Sequence, residues 1–207
     1  MNKLLPTIFF IFPCLADANA ENQTVSIGFV RLKADGLQRL FNQPNEAAQG
    51  SQGTLNQSED DSYRDPQGMF IRYRYEVDST FGVLGSASYA LQDGRATFNS
   101  DYGQITSRTE SNYASAMFGP SFRLTDYLSF YGLAGLAYKS ITRRYTQQNA
   151  GGFGYNTTSE DKVDFAYSIG AQINVYKQFV ADAAYEESTG SGEWNAKGFT
   201  IGIGYKF

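Results

Sequence analysis

Eight stretches of this chain alternate between two kinds of residue with a period of two, and that rhythm constrains the fold more than any other feature. The clearest spans 163–175, where Phe165, Tyr167, Ile169, Ala171 and Ile173 alternate with Asp164, Ser168, Gly170, Gln172 and Asn174. The others cover 24–31, 69–77, 81–91, 112–124, 128–139, 179–187 and 197–207. Each is near the ~9–11 residues a tilted membrane strand needs, whereas no later apolar run approaches the ~20 residues of a spanning helix. Aromatics at 15% and 21 glycines fit a β composition. Pro120 lies inside the 112–124 stretch, where a missing N–H predicts a bulge.

Alternation alone leaves two outcomes. A lipocalin-like barrel turns its apolar face inward; a membrane barrel turns it toward lipid. The polar face here carries Arg72, Arg74, Glu76, Arg123, Lys139, Asp164, Asp182, Glu186 and Lys206, with roughly balanced signs. Placing Arg72 or Arg74 on the lipid side near the midplane would cost about 2–4 kcal/mol each. An inward ion-pair network among Arg72, Arg74, Glu76, Asp182 and Glu186 avoids that cost. At least one buried pair is expected among them, so that Arg74→Ala lowers heat stability while Arg144→Ala does not.

The connections are lopsided. Asp78-Ser79-Thr80, Thr125-Asp126-Tyr127 and Tyr176-Lys177-Gln178 are short, while 32–68, 92–111, 140–162 and 188–196 are long and polar. They alternate strictly, so all the long ones fall at one rim, as in outer-membrane barrels. The expected fold is therefore all-β: an eight-stranded antiparallel up-and-down transmembrane barrel with four long extracellular loops. Residues 1–20 read as a signal peptide, with Lys3 before an apolar segment and Ala18-Asn19-Ala20 as the cleavage site. Residues 21–207 then form one barrel domain. Phe207, an aromatic on the last strand, reads as the assembly signal for the barrel-assembly machinery.

Several functions are disfavoured. The chain has no histidine, and its one cysteine, Cys14, lies in the leader. Zinc-type sites and histidine general bases therefore lack their usual residues, and no cofactor, metal site or enzymatic activity is expected. A net charge of −4 argues against nucleic acid. The acidic run Glu59-Asp60-Asp61 near Asp65 matches no dedicated calcium loop. Basic and aromatic residues in the long connections remain: Arg143, Arg144 and Tyr145 after the fifth stretch, and Arg95 and Arg108 flanking the second long loop. Such groups suit sulfated glycans, lipopolysaccharide phosphates or an acidic protein.

The segments Tyr73-Arg74-Tyr75-Glu76, Ala116-Met117-Phe118-Gly119-Pro120, Tyr131-Gly132-Leu133-Ala134-Gly135-Leu136-Ala137, Ser168-Ile169-Gly170-Ala171-Gln172-Ile173-Asn174, Ala184-Tyr185-Glu186 and Gly202-Ile203-Gly204-Tyr205-Lys206-Phe207 resemble the Ail/Lom/OmpX family of enterobacterial outer-membrane proteins. The turn Gly190-Ser191-Gly192-Glu193-Trp194 is most similar to the phage-encoded Lom branch. The resemblance implies a Gram-negative outer membrane and a surface role in adhesion, invasion or serum resistance. It implies host cell-surface, matrix or complement-regulatory proteins as partners, beside outer-membrane lipid and lipopolysaccharide. A structural barrel without a dedicated ligand is the alternative reading, and a small pore a weaker one.

Overall fold

The structure is a computed structural model that describes residues 22–36, 56–57, 64–100, 103–149, 152–189 and 195–207. The leader at 1–20, the run Glu59-Asp60-Asp61 and the turn holding Trp194 lie outside the described residues.

Eight long strands follow in chain order: β1 (Gln23–Asp35), β2 (Gln67–Glu76), β3 (Phe81–Ser100), β4 (Gly103–Arg123), β5 (Leu128–Asn149), β6 (Gly152–Tyr176), β7 (Phe179–Thr189) and β8 (Asn195–Lys206). Each pairs antiparallel with its chain neighbour. β1 also pairs with β8, Ile27 standing opposite both Ile71 and Ile203, so the sheet closes on itself. Asn56–Gln57 adds a short rung against Phe98 and Asn99 of β3.

The inner face is polar and the outer face is apolar. Arg72, Arg74, Lys139, Asp182 and Glu186 are buried inside, whereas Phe118, Ile201 and Ile203 are 78%, 68% and 71% exposed on the outside. A soluble barrel would show the reverse, so the apolar belt faces lipid. Bulky inward side chains, Arg72, Arg74, Tyr113 and Tyr131 among them, fill the axis, as the bore of an eight-stranded barrel allows. Aromatics edge the belt. Phe81–Phe122, Phe179–Tyr205 and Tyr205–Phe207 make edge-to-face contacts near the short-turn rim, and Tyr185–Phe199 does so near the other.

Two expectations are corrected. The stretches 92–111 and 140–162 are largely strand. β3 and β4 stay in register to Ser100–Gly103, and β5 and β6 to Asn149–Gly152. With β3–β6 at 20–25 residues and the other four at 10–13, a four-stranded sheet projects beyond the barrel. Above the lipid neither face needs to be apolar, so the alternation fades while the backbone ladder continues. Pro120 is the second correction: it sits opposite Val83 with no change of register, and the β4–β5 register is the same before and after it. The irregularity lies at Asn174–Tyr176, beside the two-residue turn where Lys177 adopts φ 44°.

The turn between β2 and β3 is held by Asp78, whose Oδ1 accepts the N–H groups of Thr80 and Phe81 at 2.7 Å each. The Phe81 and Thr80 amides hold this carboxyl below its ordinary range. A group with a depressed folded pKa contributes stability above its unfolded value and loses it as pH falls through the folded value. Asp78→Ala is therefore expected to lower the unfolding midpoint modestly at neutral pH, with the gap closing below pH ~4. Thermal unfolding followed by gel mobility at several pH values checks this. A gap unchanged in strong acid would mean that the side chain acts by packing alone.

Candidate functional site

Strand register gathers three arginines that are far apart in sequence. Arg95 on β3 stands opposite Arg108 on β4, and Arg108 stands opposite Arg144 on β5. All three share the outward face of the projecting sheet, four residues along β3 beyond the last apolar belt residue, Leu91. Like charges directly across a ladder repel, so the row needs compensation. Asp93 and Glu110, one step nearer the lipid, provide part of it. Arg108 donates to Asp93 through Nη2 at 2.8 Å and Nε at 3.2 Å, and Arg144 Nη1 donates to Glu110 at 2.7 Å. Arg108 also lies 3.4 Å from Glu110. Asp93, and then Glu110, favour the charged guanidinium of Arg108 and raise its pKa.

Among the described residues, Arg95 has no ion-pair partner. Arg108 keeps 52% of its side chain exposed. With Thr106, Thr146 and Tyr155, the three arginines and Asp93 line a cleft of about 510 Å³. Three guanidiniums against two carboxylates, with an aromatic beside them, give this face a net positive charge of the kind that suits anionic groups. Arg143 and Tyr145, expected to join Arg144 at a loop tip, do not. All three lie within β5, and alternation puts Arg143 and Tyr145 on the opposite face, which continues the barrel interior. Asp65, grouped by sequence with the acidic run, accepts from Arg31 at 3.1 Å.

The interior has its own network. Arg72, with no exposed side-chain surface, ion-pairs with Asp182 and donates to Ser86 at 3.2 Å and Thr200 at 2.8 Å. Its guanidinium stacks 4.1 Å from the Phe70 ring centroid. Asp182 also accepts from Tyr131 at 2.8 Å and Gln172 at 2.7 Å. Glu76 pairs with Arg74, Arg123 and Lys206. Glu186 accepts instead from three hydroxyls, Tyr113 at 2.8 Å, Ser115 at 2.6 Å and Ser88 at 3.0 Å. Sequence reasoning missed this hydroxyl cage; the signal was the run of serines at inward positions. Lys139 pairs with Asp164 at 2.8 Å. The Phe207 N–H donates to Gln23 O at 2.9 Å, tying the end of the chain to β1.

The profile of the family described as "Enterobacterial Ail/Lom protein" matches residues 41–207. This chain belongs to the Ail/Lom family. Among its relatives, the virulence membrane protein PagC of Salmonella typhimurium is 34% identical over 73% of this chain and 82% of its own length. The outer membrane protein lom of Escherichia phage lambda is 34% identical over 68% and 73%. The attachment invasion locus protein of Yersinia pseudotuberculosis is 32% identical over 100% and 98%. The crystal structure of Ail from Yersinia pestis superposes with a TM-score of 0.60 at 26% identity, covering 90% of this chain and 99% of that one. A second structure of that Yersinia pestis protein holds the heparin analogue sucrose octasulfate. Ail/Lom membership and the lipid-facing belt place this barrel in the outer membrane, with the short turns in the periplasm and the projecting sheet outside the cell.

Proposed function

We propose that this Ail/Lom barrel is an attachment protein that takes sulfated host glycans on the outward face of its projecting sheet. The observation that carries the reading is the row Arg95–Arg108–Arg144, three guanidiniums set side by side above the lipid. Paired strands lie ~4.8 Å apart, so the row presents charge at regular intervals along about 10 Å. A sulfated chain offers anionic groups in series, and a fork of N–H donors suits each of them. The names of the attachment invasion locus relatives support the adhesive role, and the heparin analogue on Yersinia pestis Ail belongs to the same ligand class.

Binding to immobilised heparin tests the reading. Replacing Arg95, Arg108 and Arg144 together with Ser is expected to weaken binding at least a hundredfold, at ~1.5 kcal/mol for each charge-assisted contact. Barrel stability should hardly change, because exposed ion pairs contribute only ~0–1 kcal/mol. The parent should lose affinity steeply with salt. Expression of both forms in a non-adherent, serum-sensitive strain then connects binding to adhesion and serum survival. Equal adhesion by the triple variant would remove the row from the function, and no gain of adhesion by either form would favour the structural-barrel alternative.

A further inference from the structure

The periplasmic end of the barrel interior holds more positive than negative charge. Arg74, Arg123 and Lys206 all pair with the one carboxylate of Glu76. Among the described residues, no second carboxylate forms an ion pair with any of the three. Arg74 is 2% exposed and Glu76 6%, so water screens this excess poorly. Two buried polar atoms there also lack partners, Arg74 Nε and Thr24 Oγ1. They belong to one register row: Thr24 stands directly opposite Arg74 on one side and Lys206 on the other. All three side chains point inward, their Cβ atoms ~5 Å apart across each strand pair. Arg123 and Lys206 keep 21% of their side chains exposed, which leaves the group open to the periplasm.

We infer that the periplasmic mouth of this barrel binds a small oxyanion, of the phosphate or carboxylate class, between Arg74, Arg123, Lys206 and Thr24. An oxyanion accepts from the free Arg74 Nε–H and the Thr24 hydroxyl, and it offsets the charge that Glu76 leaves uncompensated. Two sources carry this chemistry: free phosphate, and the peptide carboxylates of the cell wall. The site lies at the opposite end of the molecule from the arginine row and is independent of the glycan reading.

Because a ligand of the folded state stabilises it, the test is thermal. Refolded protein in detergent micelles is titrated with inorganic phosphate at constant ionic strength, balanced with sodium chloride. The unfolding midpoint is expected to rise by about 5 °C when phosphate is about a hundredfold above its Kd, and to climb further with the logarithm of its concentration. In the double variant Arg123→Gln/Lys206→Gln, which leaves a neutral Arg74–Glu76 pair, the rise should vanish. If the double variant does not refold, Arg123→Gln alone should at least halve the response. Glu76→Gln enlarges the surplus and should give a larger rise at the same phosphate concentration. A parent midpoint indifferent to phosphate, or an equal rise in the variants that lack a cation, would overturn the site. Purified cell-wall sacculi separate the sources: co-sedimentation that the double variant loses assigns a wall carboxylate, and its absence beside a phosphate response assigns the free ion.

Discussion

Arg72→Ala is expected to lower the thermal unfolding midpoint by about 10 °C, more than Arg74→Ala or Arg144→Ala. Arg72 and Asp182 are both fully enclosed. Removing the guanidinium strands the carboxylate and also ends the bonds to Ser86 and Thr200. Breaking such a buried pair costs about 3–5 kcal/mol, and for a domain of this size each kcal/mol moves the midpoint by ~2–4 °C. Arg74→Ala should cost clearly less, because Glu76 keeps Arg123 and Lys206. Arg144→Ala should barely register. The temperature at which the compact gel band converts to the unfolded one ranks the three. An Arg74→Ala midpoint at or below that of Arg72→Ala would mean that the Glu76 cluster, rather than the Arg72–Asp182 pair, dominates the interior.

Gly202→Val is expected to stop the barrel from closing. Gly202 on β8 pairs with Gly28 on β1, across the seam where the last strand meets the first. A Cβ at 202 would lie 2.4 Å from the backbone oxygen of Ile27 and 2.6 Å from the Phe70 ring. The ring can turn, but the backbone oxygen can move only if the seam opens. Refolding in micelles should give little compact, heat-modifiable protein. Gly132→Ala is the control, since a Cβ there meets nothing within 4 Å. Normal yields of compact Gly202→Val would show that β1 and β8 tolerate a wider separation than their register implies.

The barrel was readable in the sequence because a bilayer makes demands that a sequence must record. Every outward residue in the belt must be apolar and every backbone group must find a partner, which leaves alternating segments of bounded length. Val163–Val175 shows this, and it lies wholly within β6. The same stretch also shows where legibility ends. β6 begins eleven residues earlier, at Gly152, through Tyr155, Thr157 and Ser159, where both faces meet water and no apolar rhythm survives. A reading that depends on hydrophobic contrast takes such strands for loops.

Which charges meet was decided by the tertiary structure. The sequence could place Arg72, Arg74, Glu76, Asp182 and Glu186 on one face, because side chains two apart share a face. It could not give the stagger between strands distant in the chain, and that stagger joins Arg72 to Asp182 across 110 residues while leaving Glu186 to three hydroxyls. The arginine row has the same origin. Arg143, Arg144 and Tyr145 are adjacent in sequence, yet the pleat sends Arg144 outward and its neighbours inward. Arg95 and Arg108, 13 residues apart, become neighbours only when the hairpin between them sets its register. Periodicity is local and survives in one dimension; register is a relation between strands and exists only once they are paired.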